Sequence, residues 1–451
     1  MALTLDDAIK KHNYKHDVDG TLDKSYGKEY LAKHNVTTHV DKDTIYADTR
    51  LRKLFQIILE EGIAIGATDI LIRPELKYGL VSNRVGRTMM PSRLIHRGAV
   101  ESLITYIRML VETNPESTRK GVSAKYTFHK EIKDDNDNIT YEKYDTRLQF
   151  QPSKYGSVVD IRIFYNENLN KDIDDLGFPD LITYHYKQAL KLREGLIIVS
   201  GPTGSGKTTT EYVGILQILH DSEFTSNIWT IEEPIEYKID GITQSEVDEL
   251  HGYTFAEGVK SALRMNPDVM LVGEVRDDET AKTVTRASTS GHLALTTIHA
   301  NSTLEVLDVL KQYNVHKNDI VNAVRLIIFQ TLEDKLCPHC RKQKILKPHQ
   351  KDWLDRKLIG KEQLSTIYER DHNGCEYCNY SGISGRVMLN EMLVTGFEFR
   401  VLQELSNGNI DKLKSDLMNS EDKLFYPIEW DVHRRIKDGE IDFESATRLI
   451  H

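Results

Sequence analysis

The sequence lacks any apolar run that approaches the length of a membrane span, and its N-terminus has no apolar signal core. We therefore expect a cytosolic protein. A basic excess is also absent, since the formal net charge is −10 and the pI is near 6.0. This balance argues against broad, nonspecific nucleic-acid binding. Cysteines are few, with four in 451 residues, and two CxxC pairs in a cytosolic chain indicate metal binding rather than a disulfide framework.

The length leaves room for two or three domains. The first 45 residues are polar, which is typical of a loosely ordered tail, and a docking arm is the alternative. A polar, acidic stretch later separates two regions of regular apolar pattern. The predicted divisions are a segment at 1–45, an α+β domain at 46–165, a linker at 166–178, a second domain at 179–451 and, within it, a cysteine-bearing subdomain at about 331–390.

The first domain mixes helices and strands. Leu51, Leu54, Phe55 and Ile58 form one apolar helix face. A second helix is predicted at 100–111. Strands are predicted at 69–72 (stopped by Pro74), 79–85, 125–129, 147–150 and 158–164, with a hairpin turn at 134–138.

The second domain alternates short apolar runs with helices. Strands are predicted at 196–199, 227–231, 269–272 and 293–298. Buried strands that alternate with helices predict a parallel, doubly wound sheet, with a nucleotide at the carboxyl ends of the strands.

A glycine-rich loop follows the first of these strands and precedes a helix predicted to begin near Thr209. Its GxxxxGK[ST] pattern is that of a nucleotide triphosphate site. Backbone N–H groups and the helix N-terminus supply positive potential, Lys207 would reach the β and γ phosphates, and Thr208 would ligate Mg²⁺. The predicted binding residues are Gly201, Pro202, Thr203, Gly204, Ser205, Gly206, Lys207, Thr208 and Thr209.

Acids and histidines follow the other strands. Glu274 ends an apolar strand about 60 residues after the loop, where it could hold the Mg²⁺ shell or polarise the attacking water. The stretch Thr230–Tyr237 carries three acids, including Glu236, that would repel one another without a cation or arginines nearby. His292 and His299 flank a strand, which suggests sensing of the γ-phosphate.

These motifs, in order, resemble the secretion ATPases of type II secretion and type IV pilus assembly. That family has a glycine loop, an Asp box, a Walker B strand ending Gly-Glu-x-Arg-Asp and a His box. Gly201–Thr208, Thr230–Tyr237, Asp268–Asp277 and Ser290–Asn301 match them. The stretch Gly66–Ile70 is similar to a motif of the family's N-terminal domain. Glu233 stands where the family usually has Asp.

The resemblance implies a RecA-like P-loop ATPase domain with a parallel twisted sheet, preceded by a smaller, PAS-like α+β domain. It implies ATP and Mg²⁺ as ligands, a homo-oligomer (a hexamer) and an inner-membrane platform protein as partner, at the cytoplasmic face of the bacterial inner membrane. By residue, it implies that Glu236 activates water, that Glu274 is the Walker B glutamate, and that Arg147 and Arg162 reach a nucleotide across a domain or subunit boundary.

The two cysteine pairs, Cys337/Cys340 and Cys375/Cys378, use every cysteine in the chain. Four thiolates can close a tetrahedral Zn²⁺ site at about 2.3 Å. A redox role for one pair is disfavoured, because neither lies in a thioredoxin-like βαβ context. The pairs also resemble the tetracysteine motif of assembly-type family members. His339 is a spare donor that fits an exposed loop better.

The leading hypothesis is therefore an ATPase motor for pilus assembly or protein secretion. A RecA-like nucleic-acid translocase is the alternative, disfavoured by the acidic balance and by the absence of an aromatic-basic strand stretch. A ring that binds ATP without turnover is the third possibility, and the presence of Lys207, Glu236 and Glu274 argues against it.

Overall fold

A computed structural model describes residues 15–16, 49–86, 88–113, 121–133, 139–165, 171–357, 364, 366–378, 380–395, 417 and 424–450. The chain divides into two compact units, Met1–Asn166 and Glu167–His451. The predicted hairpin turn at 134–138, the start of the predicted linker and nearly all of the N-terminal segment lie outside the described residues. In the part of the chain that is described, no helix is both long and apolar enough to cross a membrane.

In its described residues, the first unit is a mainly antiparallel sheet with two helices, α1 (Thr49–Ala64) and α2 (Arg97–Leu110). In the sheet, β1 pairs with β4 in parallel and the other neighbours are antiparallel. The described strands, in spatial order, are β1 (Lys15–His16), β4 (Thr88–His96), β3 (Tyr78–Val85), β2 (Asp69–Pro74), β7 (Gly156–Phe164), β6 (Ile139–Ser153) and β5 (Val122–Lys133).

The core of this unit forms where α1 and α2 pack on the sheet. The predicted helix face is confirmed, since Leu51, Leu54, Phe55 and Ile58 are all buried in that core. α2 lies close to β3, because a Cβ on Gly79 would be 2.5 Å from Cβ of Val100. β4 is not among the predicted strands, since its polar residues and Pro91 hide the alternation. β2 extends two residues beyond the predicted strand at 69–72, and Pro74 is its last residue.

The second unit is built on a larger sheet. Its strands, in chain order, are β8 (Gly195–Ser200), β9 (Ile228–Glu232), β10 (Thr243–Glu246), β11 (Val269–Val272), β12 (Leu293–Ile298), β13 (Val324–Leu336), β16 (Ile383–Val394) and β17 (Phe425–Tyr426). A separate antiparallel pair comprises β14 (Lys342–Ile345) and β15 (Thr366–Glu369).

The spatial order in the larger sheet is β10-β9-β11-β12-β8-β13-β16-β17. The strands from β10 to β13 are parallel, whereas β16 and β17 are antiparallel to their neighbours. Helices accompany the sheet: α3 (Asp180–Ala189), α4 (Lys207–Asp221), α5 (Phe255–Leu263), α6 (Asp278–Ser288), α7 (Thr303–Gln312), α8 (Lys317–Ala323), α9 (Pro348–Lys357), α10 (Ile428–Lys437) and α11 (Phe443–Leu449).

The α/β prediction for this unit is confirmed, with one difference. All residues of β8, β11 and β12 are buried, as parallel strands covered on both faces require. The four predicted strands are present, and 269–272 and 293–298 have the predicted bounds. The sheet is mixed rather than purely parallel, because β16 returns along β13 and adds an antiparallel edge.

Candidate nucleotide site and metal centre

The glycine-rich loop connects β8 to α4, and its glycines have left-handed backbone angles. Gly201 has φ +143°, and a Cβ there would be 2.1 Å from the carbonyl oxygen of Gln330. Gly204 and Gly206 have φ +77° and +89°. Residues with side chains rarely adopt such angles, so this path needs glycine. α4 begins at Lys207, two residues before the predicted start.

The loop presents groups that suit a phosphate. α4 starts from Gly206 without a side-chain cap, so its first N–H groups remain available to an anion. The Ser205 hydroxyl is buried and has no hydrogen-bond partner among the described residues. Lys207 Nζ donates to the carbonyls of Gly201 at 2.8 Å and Pro202 at 3.1 Å. Burial lowers the pKa of Lys207, while the charges of Glu274 and Glu211 act to raise it.

Gln330, on β13, holds the loop and the start of α4 through two hydrogen bonds. Its Nε2 donates to the Ser205 carbonyl at 2.8 Å, and its Oε1 accepts from the Thr210 hydroxyl at 2.8 Å. The side chain is fully buried, so both bonds are shielded from water. A residue 125 positions further along the chain therefore fixes the loop.

The predicted acid Glu274 follows β11 at the same edge of the sheet as the loop. The turn that carries it is held by the hydroxyl of Thr297, which donates to the Gly273 carbonyl at 2.7 Å. The Oε2 atom of Glu274 accepts from Arg276 Nε at 2.7 Å, and Oε1 of Glu274 lies 2.9 Å from His299 Nε2. Arg276 also binds Glu233 through Nη1 at 2.5 Å. These four side chains form a continuous chain of polar contacts across the strand ends.

The buried acid of the Asp box is Glu232. It accepts hydrogen bonds from Tyr212, from Thr230 Oγ1 at 2.5 Å and from Gln244 Nε2 at 3.1 Å. Burial raises the pKa of Glu232, and these bonds oppose the rise. Glu236 lies close enough for its charge to act on Tyr212 and on Glu211, which places it in the same acidic group.

His292 lies at the other end of β12. The parallel register of β8 and β12 pairs Ile298 with Ser200, next to the loop, and Leu293 with Gly195. His299 is thus at the loop edge, whereas His292 is beside Gly195. The Gly195 N–H donates to the His292 carbonyl at 3.2 Å. Seven residues of strand span roughly 20 Å. Within one chain the two histidines therefore lie at opposite ends of β12, with His299 on the side of the glycine-rich loop.

Arg147 and Arg162 are directly opposite each other on β6 and β7 of the first unit, and both are exposed. Arg162 Nε donates to Oδ1 of Asp69 at 2.9 Å, and Arg84 Nε lies 3.5 Å from Oδ2 of the same carboxylate. Asp69 faces both Arg84 and Arg162 in register. The two predicted arginines thus belong to a cationic row across one face of this sheet.

The four cysteines converge at the end of β13. Their Sγ atoms all lie within 4.8 Å of one another, and three pairs are 3.8 Å apart. Bonds of about 2.3 Å to a tetrahedral Zn²⁺ set sulfur atoms about 3.8 Å apart, so the thiols fit this ion. Although burial raises it, the pKa of the Cys378 thiol falls to about 6 because the N–H groups of Cys375 and Gly382 donate to the sulfur.

His339 does not join this cluster. It is exposed, as expected, and its ring lies against that of Tyr377, with centroids 4.0 Å apart and planes tilted by 44°. The ligand set that the geometry supports is therefore the four thiols alone.

Some residues of the site were not predicted. Gln330 and Tyr212 reach it from positions with no motif of their own, and Glu211 lies inside an apparently apolar stretch of α4. Arg276 stands in the matched Walker B stretch, so the motif itself carried a signal for it. The distances to Glu274 and Glu233 reveal its role as their bridge.

The fold and the loop together define a RecA-like P-loop protein of the ATPase class. A model of the family described as type II/IV secretion system protein matches residues 46–443, and the chain belongs to that family. The resemblance inferred from the motifs is thus confirmed.

Two curated relatives illustrate the range of this family. The chain is 31% identical to the type II secretion system ATPase E of Vibrio cholerae over 358 residues, covering 79% of this chain and 67% of that protein. It is 28% identical to the type IV pilus assembly ATPase PilB of Thermus thermophilus, covering 84% of this chain and 42% of that protein. The chain thus spans about two thirds of the type II relative and less than half of the pilus relative.

A solved structure shows the same fold. The Legionella pneumophila ATPase DotB superposes with a TM-score of 0.61 at 20% identity, covering 88% of this chain and 95% of that one. At this identity the likeness concerns the fold.

Proposed function

We propose that this chain is an ATP-hydrolysing motor that drives type II protein secretion or type IV pilus assembly. It would act as a homohexamer in the cytoplasm, on a platform protein of the inner membrane. The observation that carries the proposal is the meeting of the Gly201–Thr208 loop with Glu274 at one edge of the sheet, in a chain of the secretion family.

The phosphate end of the nucleotide is assigned to the loop. Lys207 exchanges its loop carbonyls for the β and γ phosphates, and the N–H groups at the start of α4 bind phosphate oxygens. Thr208 would ligate Mg²⁺ through its hydroxyl. When bound, this ion neutralises charge on the β and γ oxygens.

We assign Glu274 and Glu236 to activation of the attacking water. Arg276 and His299 hold the two oxygens of Glu274, so the carboxylate is oriented before a water arrives. Glu274 polarises that water, and Glu236 is the second acid that assists. His299 is a positioning residue, since it acts through Glu274.

Arg147 and Arg162 are proposed to bind the charge that spreads over the transferring phosphoryl group. The planar guanidinium suits this work, and Asp69 orients one of the two. The nucleotide could belong to the same chain or to a neighbour in the ring. The zinc site is proposed to be structural, because four thiols leave no open coordination position.

ATP turnover by the purified full chain tests the proposal. Lys207→Ala should abolish hydrolysis and weaken nucleotide binding, because the charge that faces the phosphates is lost. Glu274→Gln should keep binding and stop turnover. Lys282→Ala, which removes a half-buried surface lysine of α6 that pairs only with Asp278 of the same helix among the described residues, is the matched control and should behave as wild type.

Assays with a platform protein's cytoplasmic domain and with DNA separate the two function classes. Stimulation by the platform domain, with a mass of about six chains in ATP, supports the motor. Stimulation by DNA alone would favour the translocase. Normal turnover by Glu274→Gln would show that the Walker B assignment is wrong.

A further inference from the structure

One buried acid of the nucleotide site is not used by the mechanism above. Glu211 lies on α4, four residues after Lys207 and three after Thr208, so the three side chains share one face of the helix. Only 2% of Glu211 is exposed. Its Oε1 is buried and has no hydrogen-bond partner among the described residues.

The neighbouring acids differ from Glu211 in this respect. Glu232 accepts three hydrogen bonds, and Glu274 is paired with Arg276 and His299. Burial and the charge of Glu232 raise the pKa of Glu211 well above its ordinary value, and Lys207 opposes the rise. Among the described residues, Oε1 of Glu211 thus lies buried beside other acids without a hydrogen bond of its own.

Stability does not account for a carboxyl at this position. The neighbouring buried residues of α4 include Tyr212, Val213 and Ile215. An apolar side chain of similar size at position 211 would avoid the cost of desolvating a carboxyl with an unbonded oxygen. Lys207 cannot satisfy Glu211 during turnover, because its ammonium is committed to loop carbonyls at rest and to phosphates when nucleotide binds. The positive charge that arrives with the phosphates is the divalent cation beside Thr208.

We propose that Glu211 is a positioning residue for this cation, acting through the cation's water shell. The inference rests on the proposed function, since it assigns a residue to the cation of the same site. Mg²⁺ keeps several of its waters when it is bound in proteins, so a carboxylate behind the direct ligands can hold them. Glu211 thereby makes tight nucleotide binding conditional on the cation.

The test compares nucleotide affinity with and without metal. A fluorescent, non-hydrolysable ATP analogue is titrated into the full chain in excess Mg²⁺ and in EDTA. The readout is the Kd in EDTA divided by the Kd in Mg²⁺. In Glu211→Gln this ratio should fall about tenfold, corresponding to about 1.4 kcal/mol. Glu249→Gln removes the same charge at an exposed position and should keep the wild-type ratio.

A second variant keeps the test informative if the amide disturbs folding. Glu211→Leu should raise the melting temperature of the nucleotide-free protein, because a buried carboxyl with an unbonded oxygen is gone, and should also lower the Kd ratio. Wild-type ratios in both folded variants would overturn the inference and leave the proposed function intact. A wild-type chain that binds no nucleotide in Mg²⁺ would instead overturn the proposed function.

Discussion

Gln330→Leu is the perturbation that best tests how the loop is held. The change removes one donor and one acceptor from a fully buried position, leaving the Ser205 carbonyl and the Thr210 hydroxyl without their partner. The hydroxyl can turn to a carbonyl one helical turn earlier. The Ser205 carbonyl has no such alternative within the loop, so most of the cost falls there.

The magnitude follows from these two bonds. An orphaned buried acceptor costs about 1–3 kcal/mol, and a lost hydrogen bond about 1 kcal/mol, which gives about 2–4 kcal/mol in total. For a unit of this size, each kcal/mol lowers the melting temperature by about 2 °C, so we expect a fall of about 4–8 °C. Nucleotide affinity should also fall, by about tenfold, because the loop loses its rigid support.

Differential scanning calorimetry and titration with the ATP analogue measure the two effects. Gln343→Leu is the matched control, since it makes the same chemical change at an exposed position of β14 and should alter neither quantity. If Gln330→Leu melted within 1 °C of wild type and bound nucleotide normally, the support that β13 gives to the loop would be refuted.

Further expectations concern the metal and the arginines. Metal analysis should return about one zinc per chain, and Cys337→Ser should lower the melting temperature while nucleotide still binds; a metal-free preparation as stable as the native one would contradict this. Arg162→Ala should lower turnover by about 10³-fold if the residue acts as a full arginine finger, with the zinc content unchanged. Mixing Arg162→Ala with Lys207→Ala chains should restore part of the activity if the arginine acts between subunits, and verified mixed rings without recovery would exclude that arrangement.

The parts of the site that lie in one continuous stretch could be predicted from the sequence. Gly201–Thr208 carries its own backbone geometry and its lysine, and Cys337/Cys340 and Cys375/Cys378 carry their ligand spacing. Such stretches fix local chemistry before any tertiary contact forms. β11, which precedes Glu274, was predicted for the same reason, since its apolar run is short and bounded.

The remaining parts depend on contacts between distant residues. Gln330 lies in a strand whose polar residues obscure the apolar pattern of a buried strand. Only the pairing of β13 with β8 brings this residue next to the loop. The distance of His292 from the loop could not be predicted, because a flanking position does not say which end of a parallel strand lies beside the loop. The strand register supplies that information. Glu211 gave no signal, because a glutamate in a helix is ordinary until its burial is known.

The position of β13 beside β8 also bears on how the protein is made. β8 carries the loop, yet its two neighbours in the sheet are β12 and β13, which the ribosome delivers about 100 to 130 residues later. A growing chain can therefore present the complete Gly201–Thr208 sequence long before it holds a working phosphate site. Truncated products that end before Gln330 would carry the motif without its support, so nucleotide-loaded subunits would be drawn only from chains synthesised past β13.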